Sequence, residues 1–146
     1  MDAKSILLVE DNPSDIALAR HALEIAHVTN RIDIVEDGEE ALEYLFKTGR
    51  HQSDPQDRLP AVILLDIKLP IVDGLEVLRA LRENPKTKRL PVVIMTSSNE
   101  EQDLAKGYDL GVNSYIRKPV DFEQFANVIK QLGLYWLVIN EPPPLP

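Results

Sequence analysis

The chain contains no cysteine at all, and this absence excludes two kinds of site. Without thiols there can be no disulfide framework and no thiolate-bound metal. The sequence also lacks an apolar run of about 18 residues, the length that a membrane-spanning helix needs, so we expect no membrane association. Residues 1–4 lead directly into a short apolar strand, which is too short and wrongly flanked for a signal peptide. We therefore expect a cytoplasmic protein.

Basic residues are in the minority. The chain has 16 Lys and Arg residues and 24 Asp and Glu residues, which gives a formal net charge of −8 at pH 7. Binding to nucleic acid depends on a basic surface, so no nucleic-acid partner is expected. The 146 residues, 44% of them hydrophobic, suit one compact domain with a real core and no separate output module.

Apolar strands alternate with amphipathic helices five times along the chain. Strands are predicted over residues 5–9, 31–35, 61–65, 92–95 and 114–116, and a helix follows each of them. Strict alternation predicts a parallel sheet with right-handed crossovers. The continuous apolarity of residues 61–65 indicates a strand with helices on both faces. We therefore predict an α/β, flavodoxin-like, doubly wound fold with five strands in the order 2-1-3-4-5 and five helices.

Apolar residues spaced by three and four predict which face of each helix is buried. The fourth helix, over about residues 100–110, has the weakest pattern and should be held mainly by Leu104, Ala105 and Tyr108. A loosely held helix is a candidate for an element that moves. The fifth helix is capped by Asp121 and should bury one face, formed by Phe122, Phe125, Ile129 and Leu132.

Acidic residues stand where two predicted strands end. Glu10 and Asp11 follow the first strand and Asp66 follows the third, so the predicted strand order puts all three in one crevice. At an effective dielectric near 20, two such charges about 4 Å apart repel by about 4 kcal/mol. A cation or raised pKa values must offset this, and oxygen ligands with open positions favour Mg²⁺. The alternative is that each acid only caps the next helix or turn.

A lysine and a threonine end two other strands at the same edge of the sheet. Lys118 precedes Pro119, which keeps it extended, and its ammonium is expected to pair with Asp66 and then with a phosphoryl oxygen. The alternative is a solvated surface lysine. Thr96, followed by Ser97 and Ser98, has a hydroxyl that could donate to a phosphoryl oxygen or only cap the fourth helix.

Residues 4–133 resemble the receiver domain of two-component response regulators. The matching positions, in chain order, are Glu10-Asp11, Asp66, Pro70, Asp73-Gly74, Thr96-Ser97, Tyr115 and Lys118-Pro119. The resemblance implies that Asp66 is the phospho-acceptor and takes its phosphoryl group from a phosphohistidine on a sensor histidine kinase. The protein would then be a signalling phosphoacceptor that catalyses only its own phosphorylation and dephosphorylation, not an enzyme.

The resemblance also implies which residues hold the metal and the phosphoryl group. Mg²⁺ would be bound by Asp11, Asp66 and the backbone carbonyl of Lys68, with Glu10 acting through a water molecule. Lys118 and Thr96 would contact the phosphoryl oxygens.

A conformational switch is a further implication of the family. Thr96, drawn to the phosphoryl group, would vacate space into which Tyr115 turns, so that the fourth helix and fifth strand rearrange. The alternative for Tyr115 is an ordinary half-buried aromatic residue of a strand.

Residues 134–146 form an apolar and then proline-rich extension behind the receiver part, residues 1–133. Leu134, Tyr135 and Trp136 begin its apolar run, and an exposed apolar patch would mark a homodimer contact. The alternative is that the run folds back on its own domain. The extension, the long loop over residues 47–59 and the run over residues 111–115 look like the stand-alone response regulators associated with bacterial phytochromes. That narrower resemblance implies a phytochrome kinase as partner.

Two other functions compete with phosphoryl acceptance. A pseudo-receiver would be a binding module that keeps the fold without phosphorylation, although all the residues needed for phosphorylation are present. An aspartate-based phosphohydrolase would use two acids one residue apart, and Asp66-Ile67-Lys68 lacks the second acid.

Overall fold

The computed structural model describes residues 4–54, 59–97, 100–118 and 121–144. Pro55, Asp57, Ser98, Asn99 and Pro119, which belong to the predicted loop and motifs, lie outside the described residues, as do residues 1–3 and 145–146. The described elements are β1 (Ile6–Val9), α1 (Pro13–Ile25), β2 (Ile32–Val35), α2 (Gly38–Phe46), β3 (Val62–Leu65), α3 (Gly74–Glu83), β4 (Val92–Thr96), α4 (Glu101–Asp109), β5 (Ser114–Arg117) and α5 (Phe122–Leu134). A 3₁₀ turn, Gly49–His51, follows α2, and a π-helical turn, Tyr135–Ile139, continues α5.

All strand pairs are parallel, and the sheet order is β2-β1-β3-β4-β5, which confirms the predicted topology. The register aligns Val9 of β1 with Leu65 of β3, so the two strands end side by side. The backbone N–H of Asp66 donates to the carbonyl of Val9 at 3.1 Å. The residues that follow β1 and β3 therefore emerge next to each other at one edge of the sheet.

The core has two layers, one on each face of the sheet. Alternate residues of β3 belong to different layers: Ile63 and Leu65 pack with α2 and α3, whereas Val62 and Leu64 pack with α1 and α5. All four residues of this strand are buried, as expected for a central strand covered on both faces. None of the described helices combines the length and apolarity that a bilayer crossing requires.

Short polar side chains begin most of the helices. Asn12, Asp37, Asp73 and Asp121 each accept hydrogen bonds from backbone N–H groups in the first turn of α1, α2, α3 and α5. These contacts satisfy donors that a helix cannot satisfy internally. The predicted cap at Asp121 is confirmed.

The buried face of α4 differs from the prediction. Ala105 and Tyr108 are exposed, and the buried residues of this helix are Asp103 and Gly107. A Cβ atom on Gly107 would lie 3.2 Å from Cδ1 of Ile94, so the helix approaches β4 through a residue that has no side chain. The apolar pattern missed this face because glycine carries no apolar side chain.

Phe122 was also predicted to be buried, and this was wrong. It is 45% exposed at the start of α5, where its ring lies 6.4 Å from that of His21. Phe125 and Ile129 of the same helix are buried, as predicted. The first residue of a helix has no preceding turn beside it, so periodicity is a weak guide to its burial.

The loop before β3 is tied to α2 by His51. Its Nε2 lies 3.0 Å from Oε2 of Glu40, and its Nδ1 lies 2.7 Å from Oδ2 of Asp54. Ionised carboxylates only accept hydrogen bonds, so this geometry suits the imidazolium, which donates from both nitrogens. Burial alone lowers the pKa of His51, but the hydrogen bonds to Glu40 and Asp54 outweigh it and raise that pKa.

Arg82 connects the end of α3 to two neighbouring turns. Its half-buried guanidinium donates at 2.8–3.1 Å to four backbone carbonyls, those of Lys88, Leu90, Leu110 and Gly111. Burial lowers the pKa of this group. The side chain therefore satisfies carbonyls at the end of α4 and in the turn before β4.

The C-terminal run combines the two arrangements that the sequence left open. Leu137 is buried, and Trp136 is half-buried against the core layer of α1 and α5. Leu134, Tyr135, Val138 and Ile139 are between 47% and 70% exposed. One side of the run thus packs on its own domain, and the other presents an apolar surface.

Candidate functional site

Three carboxylates meet at the ends of β1 and β3. Glu10, Asp11 and Asp66 each have a carboxylate oxygen that lies within 4.8 Å of the corresponding oxygens of the other two residues. Glu10 is 4% exposed and Asp66 7% exposed, whereas Asp11 is open to solvent. The structure thus brings together the acids that the sequence predicted to share a crevice.

Lys118 reaches this acid group from the end of β5. Its Nζ lies 2.5 Å from Oε1 of Glu10 and 3.1 Å from Oδ2 of Asp66. Its side chain is only 11% exposed, so it is not the solvated surface lysine of the alternative interpretation. The backbone N–H of Lys118 donates to the carbonyl of Thr96 at 2.8 Å, which holds the end of β5 against β4.

A fourth acid, Asp15, was missed by the sequence reasoning. Its Oδ2 lies 2.8 Å from Nζ of Lys118, and its side chain is 23% exposed in the first turn of α1. Its position four residues after Asp11, just inside the helix that starts behind the acidic pair, was the only signal available. Acidic residues are common in the first turn of a helix because they interact favourably with the helix dipole, so Asp15 did not indicate a functional site.

Burial and charge act together on the titration of this site. Burial raises the pKa of Glu10, and the charge of Asp66 adds to the effect, while Lys118 and the N–H of Asn12 oppose it. Burial alone lowers the pKa of Lys118, but its hydrogen bonds to Asp15 and Glu10 and the charge of Asp66 outweigh burial and raise it. Lys118 therefore stays an ammonium, and one cation faces four formal negative charges. That surplus favours uptake of a further cation.

The turn behind Asp66 is tightly packed. The N–H of Gly74 donates to the carbonyl of Ile67 at 2.8 Å, and the N–H of Lys68 donates to Oδ1 of Asp66 at 3.3 Å. A Cβ atom on Gly74 would lie 2.1 Å from the carbonyl oxygen of Asp66. A side chain at position 74 has no room, so the start of α3 directly supports the backbone of Asp66.

The Lys68 side chain points from this turn toward α4. Its Nζ lies 3.6 Å from Oδ2 of the buried Asp103 and 3.9 Å from Oε1 of Glu100. These contacts connect the turn behind Asp66 with the first turn of α4.

Thr96 and Tyr115 lie on the neighbouring strands β4 and β5. Thr96 is completely buried, and the register pairs it with Arg117 and pairs Ile94 with Tyr115. Tyr115 is half-buried against the core layer of α2 and α3, and its Cδ2 would lie 3.4 Å from a Cβ on Gly107. Tyr115 therefore lies against Gly107 of α4, and Thr96 is buried at the end of the neighbouring strand.

Comparison with known proteins agrees with this geometry. The family model of the response regulator receiver domain matches residues 6–130. The probable methanogenesis regulatory protein FilR2 of Methanothrix harundinacea is 39% identical over 138 residues, which cover 94% of this chain and 86% of FilR2. The response regulator Rcp1 of Synechocystis sp. is 36% identical over 134 residues, which cover 92% of this chain and 89% of Rcp1.

Two solved structures match nearly the whole fold. The phosphorylated cyanobacterial phytochrome response regulator RcpA has a TM-score of 0.89 and 38% identity, with 98% of this chain and 100% of that chain covered. The Mn²⁺-bound form of Rcp1 has a TM-score of 0.88 and 35% identity, with 97% and 99% covered. The ends of β1, β3 and β5 thus carry their acids and lysine on a fold shared with these proteins, and this chain belongs to the response regulator receiver domain family.

Proposed function

We propose that this protein is a response regulator that accepts a phosphoryl group on Asp66 from a sensor histidine kinase in a Mg²⁺-dependent reaction. One observation carries the proposal: the buried carboxylate of Asp66 lies close to those of Glu10 and Asp11 and 3.1 Å from the ammonium of Lys118. The proposal makes the protein a signalling phosphoacceptor and not an enzyme that turns over other substrates.

The chemistry needs a nucleophile and charge compensation, and little else. An oxygen of Asp66 attacks the phosphorus, the bond between phosphorus and the histidine nitrogen breaks, and its electron pair returns to the imidazole. The product is an acyl phosphate, which water later hydrolyses. Lys118 and Thr96 are both proposed to donate hydrogen bonds to oxygens of the transferred group.

The donor set fits a hard divalent cation. Carboxylate oxygens at one mouth, with a surplus of negative charge, suit Mg²⁺, which keeps several waters and bridges to phosphoryl oxygens. We propose that Glu10, Asp11, Asp66 and the backbone carbonyl of Lys68 hold it, with Glu10 acting through water. Bound there, Mg²⁺ would compensate the charge of the phosphoryl oxygens. The Mn²⁺-bound form of Rcp1 supports divalent binding in a relative.

The proposed kinase is a bacterial phytochrome. The similarity to RcpA, a phytochrome response regulator, over 98% of this chain supports this partner. No residue of the site itself responds to light, so the assignment rests on the relatives.

The output is proposed to pass through α4 and β5. Tyr115 lies against Gly107 of α4, and the start of α4 forms ion pairs with Lys68. A new charge on Asp66 would act on both contacts, and we propose a two-state rearrangement of α4, β5 and α5. Tyr115→Phe should leave phosphorylation intact and weaken the response of a partner; an unchanged response would remove Tyr115 from the switch.

We further propose that the protein forms a two-fold homodimer through its C-terminal extension. Leu134, Tyr135 and Val138 are exposed apolar side chains in the segment that also holds the half-buried Trp136. An isologous contact would cover such a surface on both copies at once. Val138→Glu, at a 70% exposed position, should shift sedimentation from dimer to monomer without lowering thermal stability. A wild-type protein that sediments as a monomer at all concentrations would exclude the dimer.

A beryllofluoride titration tests phosphoryl acceptance. Beryllofluoride with Mg²⁺ should bind the wild-type protein, and Asp66→Asn should abolish the binding measured by calorimetry. Asp109→Asn, at an exposed position at the end of α4, is the matched control and should bind like the wild type. A wild-type protein that binds neither Mg²⁺ nor beryllofluoride would instead be a pseudo-receiver.

A further inference from the structure

Asp15 stands apart from the other two acids that contact Lys118. Nζ of Lys118 lies 2.5 Å from Glu10, 2.8 Å from Asp15 and 3.1 Å from Asp66. The acid group suited to a metal ion consists of Glu10, Asp11 and Asp66 and does not include Asp15. We propose that Asp15 is a positioning residue that holds the ammonium of Lys118 in place during phosphoryl transfer, an inference that rests on the function proposed above for Asp66.

The three partners of Lys118 differ in what the reaction does to them. An ammonium has three N–H donors, and here each has one carboxylate acceptor. Phosphorylation would turn an oxygen of Asp66 into part of an acyl phosphate, and Glu10 belongs to the acid group that would hold the metal ion. The hydrogen bonds from Lys118 to Asp66 and Glu10 would both weaken as N–H groups of Lys118 turn to the phosphoryl group. Asp15 is the partner that neither accepts the phosphoryl group nor belongs to the acid group suited to a metal ion.

Asp15 is itself well fixed. Its backbone N–H and that of Ser14 donate to Oδ1 of Asn12, which caps α1. The helix then packs through Ala19 and Leu23 into the core layer shared with α5. A lysine side chain has substantial rotamer freedom, and removing that freedom costs conformational entropy. A constant acceptor on a packed helix restricts that freedom before the phosphoryl group arrives.

A hydrogen-bonding role can be separated from a purely electrostatic one. Asn at position 15 keeps an oxygen that accepts from Lys118 but removes the charge, whereas Ala removes both. If Asp15 positions Lys118 by hydrogen bonding, Asp15→Asn should keep most of the phosphorylation rate and beryllofluoride affinity that Asp15→Ala loses. If Asp15 acted only through its charge, the two variants should behave alike.

The experiment measures phosphorylation by acetyl phosphate with Mg²⁺, together with beryllofluoride affinity, for wild type, Asp15→Ala and Asp15→Asn. Misplacing a reacting group by about 1 Å can cost about 100-fold in rate, so we expect Asp15→Ala to lose about 10-fold or more in both measurements. Asp15→Asn should stay within about threefold of wild type. The two variants should bind Mg²⁺ alike because they lose the same charge.

The matched control is Glu24→Gln, which removes one exposed charge from the same helix and makes no contact with Lys118 among the described residues. It should match wild type in both measurements. Asp15→Ala within about twofold of wild type, or Asp15→Asn as impaired as Asp15→Ala, would overturn the inference. A wild-type protein that accepts neither phosphoryl nor beryllofluoride would overturn the proposed function and this inference with it.

Discussion

Replacing Gly74 by alanine tests whether the packing of α3 positions Asp66, the proposed acceptor. The added Cβ would lie 2.1 Å from the carbonyl oxygen of Asp66 and 2.8 Å from Cα of Ile67. Contacts under 3.0 Å essentially do not occur for real Cβ atoms, and both neighbours here are backbone atoms that no rotamer change can move. The start of α3 and the end of β3 must therefore separate by about 1 Å.

The cost follows from this separation. Overpacking a close-packed interior costs about 1–3 kcal/mol, and a rigid backbone neighbour puts Gly74→Ala toward the upper end. For a domain of this size, each kcal/mol lowers the melting temperature by about 2–4 °C, so we expect a decrease of about 5–10 °C. A shift of Asp66 by about 1 Å relative to Glu10 should also slow phosphorylation by up to about 100-fold.

Gly107→Ala is the matched control for this prediction. Its Cβ would meet the flexible end of Ile94 at 3.2 Å, and alanine favours a helix interior by about 1 kcal/mol, so the net change should stay within about 1 kcal/mol. Urea unfolding, thermal melts and phosphorylation by acetyl phosphate measure both variants. If Gly74→Ala were as stable and as reactive as Gly107→Ala, close packing behind Asp66 would not be what positions it.

Three further predictions concern contacts outside the acid group of Glu10, Asp11 and Asp66. His51→Gln should flatten the pH dependence of the unfolding free energy: the imidazolium stabilises fully below its unfolded pKa near 6.5, and this is lost as pH rises through its raised folded pKa. The prediction would be contradicted if the unfolding free energy, measured by urea titration, changed between pH 6 and pH 8 by the same amount in the variant and the wild type. Arg82→Ala should lower the unfolding free energy measured in urea by about 1–3 kcal/mol, because four carbonyls, two of them in part-buried hydrogen bonds, lose a charged donor. Arg82→Lys should recover only part of this loss, and a loss under about 1 kcal/mol would refute the prediction. Lys68→Gln should speed hydrogen exchange in α4 by about two- to fivefold, since exposed ion pairs contribute about 0.4–1 kcal/mol. Unchanged exchange would show that the ion pair with Asp103 does not hold the helix.

The fold and the acid group could be predicted because both depend on local patterns. Strict alternation of apolar strands and amphipathic helices leaves few topologies, and the order 2-1-3-4-5 then places the ends of β1 and β3 together. Glu10, Asp11 and Asp66 each follow a strand directly, so their meeting needed no knowledge of side-chain packing. Lys118 follows β5 in the same way.

Contacts between separate elements could not be predicted in this manner. Asp15 meets Lys118 only because α1 packs beside α5 and carries its first turn over the end of β5. The close approach of α4 through Gly107 and the exposure of Phe122 likewise depend on how far and at what angle a helix packs on the sheet.

The sequence by itself therefore determined the order of the strands and that Glu10, Asp11, Asp66 and Lys118 meet at one edge of the sheet. The periodicity of apolar residues and the positions of strand ends are properties of single segments, so they can be identified from the local sequence. Tertiary structure alone decided which acids share the ammonium of Lys118, and how closely α3 supports Asp66. Those distances are set by the close packing of many side chains at once, and no single segment contains that information.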